Sequence, residues 1–229
     1  MKGLRVIGPP TAIVDGNGWS WQPKRSTLPH QAPKLFELID VDDLQMTGAT
    51  WSNSANWHFH LQYCSNVALL NLTVLGSRVF GGTDGIDPSS CTNVLIDGAH
   101  IDVGDDGIAI TSGVYDLDNE PRHTSNITIR NSYIRSRNFA IGSSTAGNVS
   151  NVTVEDCRIG DDEGSAPWAI KIKTHEPRGG VVSNILFQRL ARLLRTHTSS
   201  RTGVTLLRSR TTMAPRRTIP SSLLQAFKT

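Results

Sequence analysis

A pattern of apolar side chains at alternating positions recurs along most of the chain. Five segments begin with Ser-Asn or Thr-Asn and carry apolar residues one and three positions after the Asn; in four of them the eighth position is apolar too. Such alternation is typical of strands with one buried face, and no helical stripe competes with it. The asparagines are Asn66, Asn93, Asn126, Asn151 and Asn184, and a weaker sixth copy begins at Asp43.

The spacing of these copies distinguishes two all-β folds. Successive asparagines are 27, 33, 25 and 33 residues apart. A β-sandwich would not need the same side chain at the same place in every copy, whereas a parallel β-helix stacks each residue on its counterpart about 4.8 Å away. We therefore predict an all-β, single-stranded, right-handed parallel β-helix, with the asparagines forming a ladder at one corner and satisfying turn backbone groups.

A second recurring strand, between these copies, carries acidic residues. Asp84 and Asp106 each precede an Ile by two positions and are 22 residues apart, about one coil, and Asp105 adjoins Asp106. Stacking would bring all three carboxylates together, so that one retains a proton while another acts as a base. Glycoside hydrolysis needs this combination. The alternative is that each Asp-Gly pair merely forms a turn.

The direction of these side chains is a separate question. Strict alternation would place Asp84 and Asp106 on the same face as Ile86 and Ile108, so the aspartates must lie where alternation breaks. Lys171 and Lys173, on a later coil, have period-2 spacing and should point the same way. Facing the carboxylates, they would bind an acidic sugar; otherwise they form a solvated strand face.

Several blocks together resemble a known family. They are Asp15-Gly16-Asn17-Gly18-Trp19-Ser20-Trp21, Gly82-Thr83-Asp84, Gly104-Asp105-Asp106, Ser136-Arg137-Asn138 and Lys171-Ile172-Lys173. Over roughly residues 12–190 the chain is similar to the polygalacturonases, glycoside hydrolase family 28, whose signature blocks are Asn-Thr-Asp, Gly/Gln-Asp-Asp, Gly-His-Gly and Arg-Ile-Lys.

The resemblance implies a pectin-lyase-like β-helix that hydrolyses α-1,4 bonds between galacturonic acids with inversion. Asp105 would then be the general acid, Asp84 and Asp106 would activate water, and Lys173 would bind a substrate carboxylate. Inversion would separate acid and base by about 6.5–9.5 Å. The family also implies an extracellular or cell-wall location, acidic polysaccharide as partner, and a monomer without metal or cofactor.

Three positions depart from the family signature. Gly82 replaces its Asn, Arg137 replaces its His, and Lys171 replaces its Arg. Arg137 cannot transfer protons near neutral pH but can hold a carboxylate bidentately, whereas Lys171 is a less directional partner. These changes favour a variant that acts exo-wise or on rhamnogalacturonan. The alternative is an inactive β-helix that binds acidic polysaccharide through Arg137, Lys171 and Lys173.

Charge divides the chain into two parts. Residues 191–229 hold eight Lys and Arg and no acidic residue, whereas residues 1–190 hold 15 basic and 20 acidic residues, a net charge of −5. The basic tail is rich in Ser and Thr and has neither strand nor helix periodicity. We predict a β-helix domain at 1–190, incomplete at its C-terminal end, and a tail at 191–229 that is disordered or not native to the fold. The alternative is an arm that binds nucleic acid or another polyanion.

The remaining sequence features exclude several classes of protein. No apolar stretch is long enough to span a membrane, and no signal-peptide core is visible. The three cysteines show no Cys-x-x-Cys spacing, so we expect no zinc site. We expect no nucleic-acid or membrane partner for the body, and the resemblance predicts truncation at both ends. A pectate-lyase activity, which would require calcium, is a further alternative on the same coil.

Overall fold

The protein is a parallel β-helix of three sheets. The computed structural model describes residues 1–113, 121–161, 169–174 and 178–193, and the backbone of 209–212. Its strands are numbered β1 to β21 in chain order, and each full coil contributes one strand to each sheet. The predicted right-handed parallel β-helix is confirmed. No helical segment in this described part could cross a bilayer.

The three sheets run the length of the β-helix, and neighbours in each are consecutive coils. Sheet A contains β1 (Lys2–Ile7), β4 (Asp42–Thr47), β7 (Ser65–Leu70), β10 (Thr92–Asp97), β13 (Thr124–Arg130), β16 (Val149–Glu155), β19 (Val181–Gln188) and β21 (Ser209–Thr212). Sheet B contains β2 (Ile13–Asp15), β5 (Thr50–Ser52), β8 (Thr73–Leu75), β11 (His100–Asp102), β14 (Tyr133–Arg135), β17 (Arg158–Gly160) and β20 (Ala191–Arg192). Sheet C contains β3 (Phe36–Ile39), β6 (Phe59–Gln62), β9 (Ile86–Ser89), β12 (Asp106–Ile110), β15 (Asn138–Ile141) and β18 (Ile170–Ile172).

The repeated apolar positions form the core, because equivalent residues stack in register. In sheet A, Val67, Val94 and Ile127 lie on successive rungs and are almost completely buried. In the first four copies the residue eight positions after the Asn is also buried, on sheet B, whereas Arg192, at this position in the fifth copy, is exposed. The sixth copy is real, since β4 pairs with β7 and Asp43 shares the left-handed backbone of the asparagines.

The predicted asparagine ladder is present on sheet A. Each side-chain amide of Asn93, Asn126, Asn151 and Asn184 donates to the side-chain oxygen of the preceding Asn, over 3.0–3.2 Å. The amides therefore bond along the ladder to one another and not to turn backbone groups as predicted. All five asparagines have φ between 54 and 58°, a conformation that Asn tolerates better than most residues.

Most of the predicted basic tail falls on 194–208 and 213–229, outside the described residues. Of the rest, Ala191–Arg192 pairs parallel with β17 and continues sheet B. The backbone of Ser209–Thr212 pairs antiparallel with β19, so this strand runs against the direction of every coil in sheet A.

Two short 3-10 segments, Gly18–Ser20 and Gln22–Thr27, fold over the first coils. Their position is set by close backbone contact: a Cβ on Gly18 would lie 2.6 Å from the carbonyl carbon of Ser54. The buried Gln22 also donates from Nε2 to the Ser54 carbonyl over 2.6 Å. This packing carries the second segment towards the acidic residues near sheet C.

Candidate active site

A β-bulge turns Asp106 away from the core. In the pairing of β12 with β15, Asp106 faces Asn138 and Ile108 faces Phe139, so Gly107 is an extra residue. Ile108 and Phe139 point inward and are fully buried. Because a bulge shifts alternation by one residue, Asp106 lies on the outer face beside Asn138. The expected break in alternation is therefore present.

Glycine is required at the bulge for steric reasons. A Cβ on Gly107 would lie 2.5 Å from Cγ2 of Ile134 and 2.6 Å from Oγ of Ser136. On the preceding coil, a Cβ on Gly85 would lie 2.9 Å from Cγ2 of Ile101. The Asp-Gly pairs thus let two rungs approach closely, which brings the aspartates of the two coils together.

The three predicted catalytic aspartates converge beside sheet C. One carboxylate oxygen from each of Asp84, Asp105 and Asp106 lies within 4.8 Å of the others. Asp84 and Asp106 are 8% and 4% exposed, whereas Asp105 is half-buried. These oxygens are closer together than the about 6.5–9.5 Å expected for acid and base in an inverting enzyme, so the structure departs from the spacing that the resemblance implied.

The buried Thr83 links the two coils that carry these aspartates. Its hydroxyl donates to the carbonyl oxygens of Ser77 and Phe80, each over 3.1 Å. The same hydroxyl accepts the N–H of Gly104 over 3.2 Å. The residue before Asp84 and the residue before Asp105 are therefore hydrogen-bonded to each other.

Both carboxylate oxygens of Asp106 have partners. Lys173 donates from Nζ to Oδ2 over 2.7 Å, and Asn138 donates from Nδ2 to Oδ1 over 2.8 Å. Asn138 and Lys173 come from the next two coils, so three consecutive rungs form this contact. The ion pair and the hydrogen bond from the amide offset the free-energy cost of removing the Asp106 carboxylate from water.

Asp105 is held by backbone amides. Its Oδ2 accepts the N–H of Gly82 over 2.5 Å, and its Oδ1 accepts the N–H of Asp106 over 3.0 Å. The carbonyl oxygen of Asp105 accepts the N–H of Arg137 over 3.0 Å. Each oxygen of Asp105 thus has its own backbone donor, which fixes the orientation of the carboxyl group.

Crowding of these acids changes their ionisation. Burial, together with the charges of Asp105 and Asp106, raises the pKa of Asp84 to about 8. Asp87, the outward residue of β9, is 3% exposed, and its oxygens have no hydrogen-bond partner among the described residues. Burial, then repulsion from the other three aspartates, raises the pKa of Asp87 well above its ordinary value. Both carboxyl groups therefore retain their protons to a higher pH than an ordinary aspartate does.

The other two predicted binding residues, Lys171 and Arg137, lie near the three aspartates without contacting their carboxylates. Lys171 pairs with Ala140 on the outer face of sheet C and is half-buried. Arg137 is exposed, and its backbone is bonded to the rung of Asp105. Neither side chain bonds to a carboxylate among the residues that the structure describes, so both cations can meet an incoming anion.

Sequence reasoning missed several residues that build the site. Asn138 belonged to a recognised block, and its place one coil after Asp106 was the available signal. Asp87 directly follows the inward-facing Ile86 in β9, and alternation after Ile86 would have placed it on the outer face of sheet C. His58 carried no sequence signal: its ring Nδ1 lies 2.9 Å from the carbonyl oxygen of Asp84.

The family match covers most of the chain. Residues 2–192 match the family described as Glycosyl hydrolases family 28. The chain belongs to this family. It is 31% identical over 188 residues to a probable polygalacturonase of Vitis vinifera, and 32% identical over 198 residues to Polygalacturonase QRT2 of Arabidopsis thaliana. These matches cover 79% and 82% of this chain but 37% and 42% of the relatives, so the chain spans less than half the length of these curated family members.

Solved structures of family 28 enzymes share the fold. An exopolygalacturonase of Yersinia enterocolitica superposes with a TM-score of 0.71 at 17% identity, covering 84% of this chain and 41% of that one. A polygalacturonase of Erwinia carotovora superposes with a TM-score of 0.65 at 22% identity, covering 82% and 49%. At these sequence identities the superpositions establish the β-helix fold alone.

Proposed function

We propose that this chain carries the catalytic centre of a polygalacturonase-type hydrolase that cleaves α-1,4 bonds between galacturonic acids. The observation that carries the proposal is the convergence of Asp84, Asp105 and Asp106 from two adjacent coils, within 4.8 Å. Acid and base at one pH are what glycoside hydrolysis requires. The polygalacturonase names of the relatives support the same substrate class. The proposal places the protein outside the cell, where such polymers occur.

The roles follow from exposure and charge. Carboxylates that interact strongly share their protons. The proton that Asp84 carries before substrate enters is therefore available to the other two aspartates. Asp105, the most exposed of the three, delivers it to the glycosidic oxygen as the bond to the anomeric carbon breaks. Asp84 and Asp106 then accept a proton from the attacking water, which forms the new bond to that carbon.

Inversion is part of the proposal because none of the three carboxylates is free to act as a nucleophile. Asp106 is held by Lys173 and Asn138, and Asp105 by two backbone amides. Asp84, whose pKa is raised to about 8, carries the shared proton until substrate enters. Water is therefore the attacking group. The carboxylates must separate to admit this water as substrate enters, and NMR of the first anomer released tests the stereochemistry.

Substrate carboxylates have cationic partners nearby. Arg137 and Lys171 lie beside the cluster without a carboxylate partner among the described residues. Lys173 already pairs with Asp106, and it binds substrate only by sharing its remaining donors. These three cations give the site its preference for an acidic polysaccharide over a neutral one.

The decisive experiment measures reducing ends released from polygalacturonate by the chain and by Asp105→Asn. We expect release by the parent chain and a loss of roughly 10²- to 10⁴-fold in the variant, as for removal of a general acid. Asp40→Asn, an exposed aspartate in the turn after β3, is the matched control. A folded parent chain that releases nothing contradicts the proposal.

The same assay separates the alternatives. Product sizes distinguish endo from exo action. A parallel assay with rhamnogalacturonan as substrate tests the variant specificity. Unsaturated products that absorb in the ultraviolet and require calcium would indicate a lyase. Binding of polygalacturonate without any product would indicate an inactive β-helix that binds acidic polysaccharide.

A further inference from the structure

Arg25 reaches the candidate site from the 3-10 segment Gln22–Thr27. Its guanidinium donates from Nη1 to the carbonyl oxygen of Gly81 over 2.5 Å and from Nη2 to Oδ1 of Asn56 over 2.8 Å. Asn56 is buried and is itself anchored, since its Nδ2 donates to the carbonyl oxygen of Ala32 over 3.1 Å. The guanidinium therefore has a fixed place, although Arg25 is remote in sequence from every aspartate of the site.

The peptide that Arg25 binds also binds Asp105. The carbonyl of Gly81 and the N–H of Gly82 belong to one peptide unit, and that N–H donates to Oδ2 of Asp105. A cation on the carbonyl polarises the amide and strengthens the hydrogen bond that its N–H donates. The peptide thus transmits the charge of Arg25 to Asp105 without direct contact between the two side chains.

Glycine at position 82 makes this arrangement sterically possible. Gly82 has a φ of +66°, and a Cβ there would lie 2.7 Å from Cζ of Arg25. The guanidinium occupies the space that a side chain would take. Two successive glycines leave the peptide free to rotate, so an external partner is needed to hold its N–H towards Asp105.

We propose that Arg25 is a positioning residue for Asp105, acting through the Gly81–Gly82 peptide. The role of Asp105 as acid rests on the proposed function, whereas the contact itself does not. Arg25 fills the space above Gly82 and fixes the orientation of the peptide, which in turn fixes the direction of the Asp105 carboxylate.

The kinetic test compares Arg25→Ala with Lys24→Ala, an exposed neighbour on the same segment. We expect Arg25→Ala to lower kcat by roughly 10- to 100-fold, as for loss of an outer partner of a catalytic group. KM should stay within about twofold, because no substrate contact is removed. Arg25→Lys should restore part of kcat through one donor. An unchanged kcat, or a change in KM alone, would overturn the proposal.

A double variant tests the shared space. Gly82→Asn should lower kcat by displacing the guanidinium, while Asn tolerates the left-handed backbone. Combined with Arg25→Ala, the Asn side chain fills the vacated volume, so the double variant should be more active than the product of the two single effects predicts. Strictly multiplicative losses would show that Arg25 and position 82 do not share a role.

A measurement independent of activity separates this inference from the proposed function. The amide proton of Gly82 should resonate downfield in ¹⁵N-resolved NMR spectra because it donates to a carboxylate. It should move upfield in Arg25→Ala and stay in place in Lys24→Ala. If the parent chain is inactive, the proposed function fails, yet this shift still decides whether Arg25 holds the peptide. No shift in Arg25→Ala would refute the contact.

Discussion

Lys173 and Asp106 form an ion pair of 2.7 Å between residues 67 positions apart in the chain. They lie two rungs apart beside sheet C, and the side chain of Lys173 spans the intervening coil. The carboxylate of Asp106 is almost fully buried. Among the described residues Lys173 is the only cation that pairs with it. This ion pair, which joins two coils, therefore contributes to the stability of the β-helix.

Replacing Lys173 by Met should therefore leave a buried carboxylate without its cation. We expect the free energy of unfolding to fall by about 1–3 kcal/mol, less than for a fully buried pair because Lys173 is partly exposed. Activity should fall as well. Urea unfolding measures the first effect, and Lys171→Met on the same coil is the control. Equal losses in the two variants would contradict the assigned pairing.

The raised pKa values of Asp84 and Asp87 predict a pH dependence of stability. Their ordinary value is 3.8, whereas the folded pKa of Asp84 is about 8 and that of Asp87 is well above the ordinary value. Between about pH 4 and 8 the native state binds more protons than the unfolded state. The free energy of unfolding should therefore fall as pH rises, by up to about 1.4 kcal/mol per pH unit for each group.

Urea unfolding at several pH values between 5 and 8 checks this slope. Asp84→Asn and Asp87→Asn should each make it shallower, because a neutral amide replaces a group that must otherwise ionise. Asp97→Asn is the control: hydrogen bonding by Asn131, aided by Arg130, lowers the pKa of Asp97, so its removal should not alter the slope over this range. A slope unchanged by either buried substitution would disprove the assignment.

The asparagine ladder makes a separate prediction for stability. Asn126 both donates to Asn93 and accepts from Asn151, at a φ of 58°. Asn126→Ala removes both hydrogen bonds and strains the left-handed backbone, so we expect a loss of about 2–4 kcal/mol. Asn126→Gly keeps the conformation and should lose less. Thermal or urea unfolding ranks the two, and a Gly variant less stable than the Ala variant would contradict this account.

The bulge at Gly107 should not tolerate a side chain. Gly107→Ala places a methyl group against Ile134 and Ser136, and overpacking of this kind costs about 1–3 kcal/mol. The shift should also misplace Asp106 and lower kcat. Ala109→Gly, on the same strand, is the reverse substitution without a clash. Wild-type stability and activity in Gly107→Ala would show that the bulge does not position the aspartate.

The fold was predictable because its information is local and repeated. Alternation around Asn66 or Asn93 is complete within one strand, and identical copies can stack only in register. The weak copy at Asp43 followed the same rule. The convergence of Asp84 and Asp106 was predictable too, since a spacing of one coil places them on neighbouring rungs.

Other features of the site depend on contacts between distant segments. The sequence predicted only that Lys173 and Asp106 lie on the same face of the β-helix. Whether the two side chains touch depends on the bulge at Gly107, which sets the direction of Asp106. The position of Arg25 had no sequence signal, since an irregular 3-10 segment has no period that specifies its neighbours. Its contact with the Gly81 carbonyl depends on packing against Ser54 and Asn56.

The sequence by itself determined the β-helix, the asparagine ladder and the meeting of the three aspartates, because each follows from a short pattern repeated at coil spacing. Only the tertiary structure decided which way Asp106 points, which of the acids have raised pKa values and which residues hold Asp105. The physical reason is that burial, electrostatic repulsion and close backbone approach act between rungs, and their strength depends on distances that a repeat pattern does not specify.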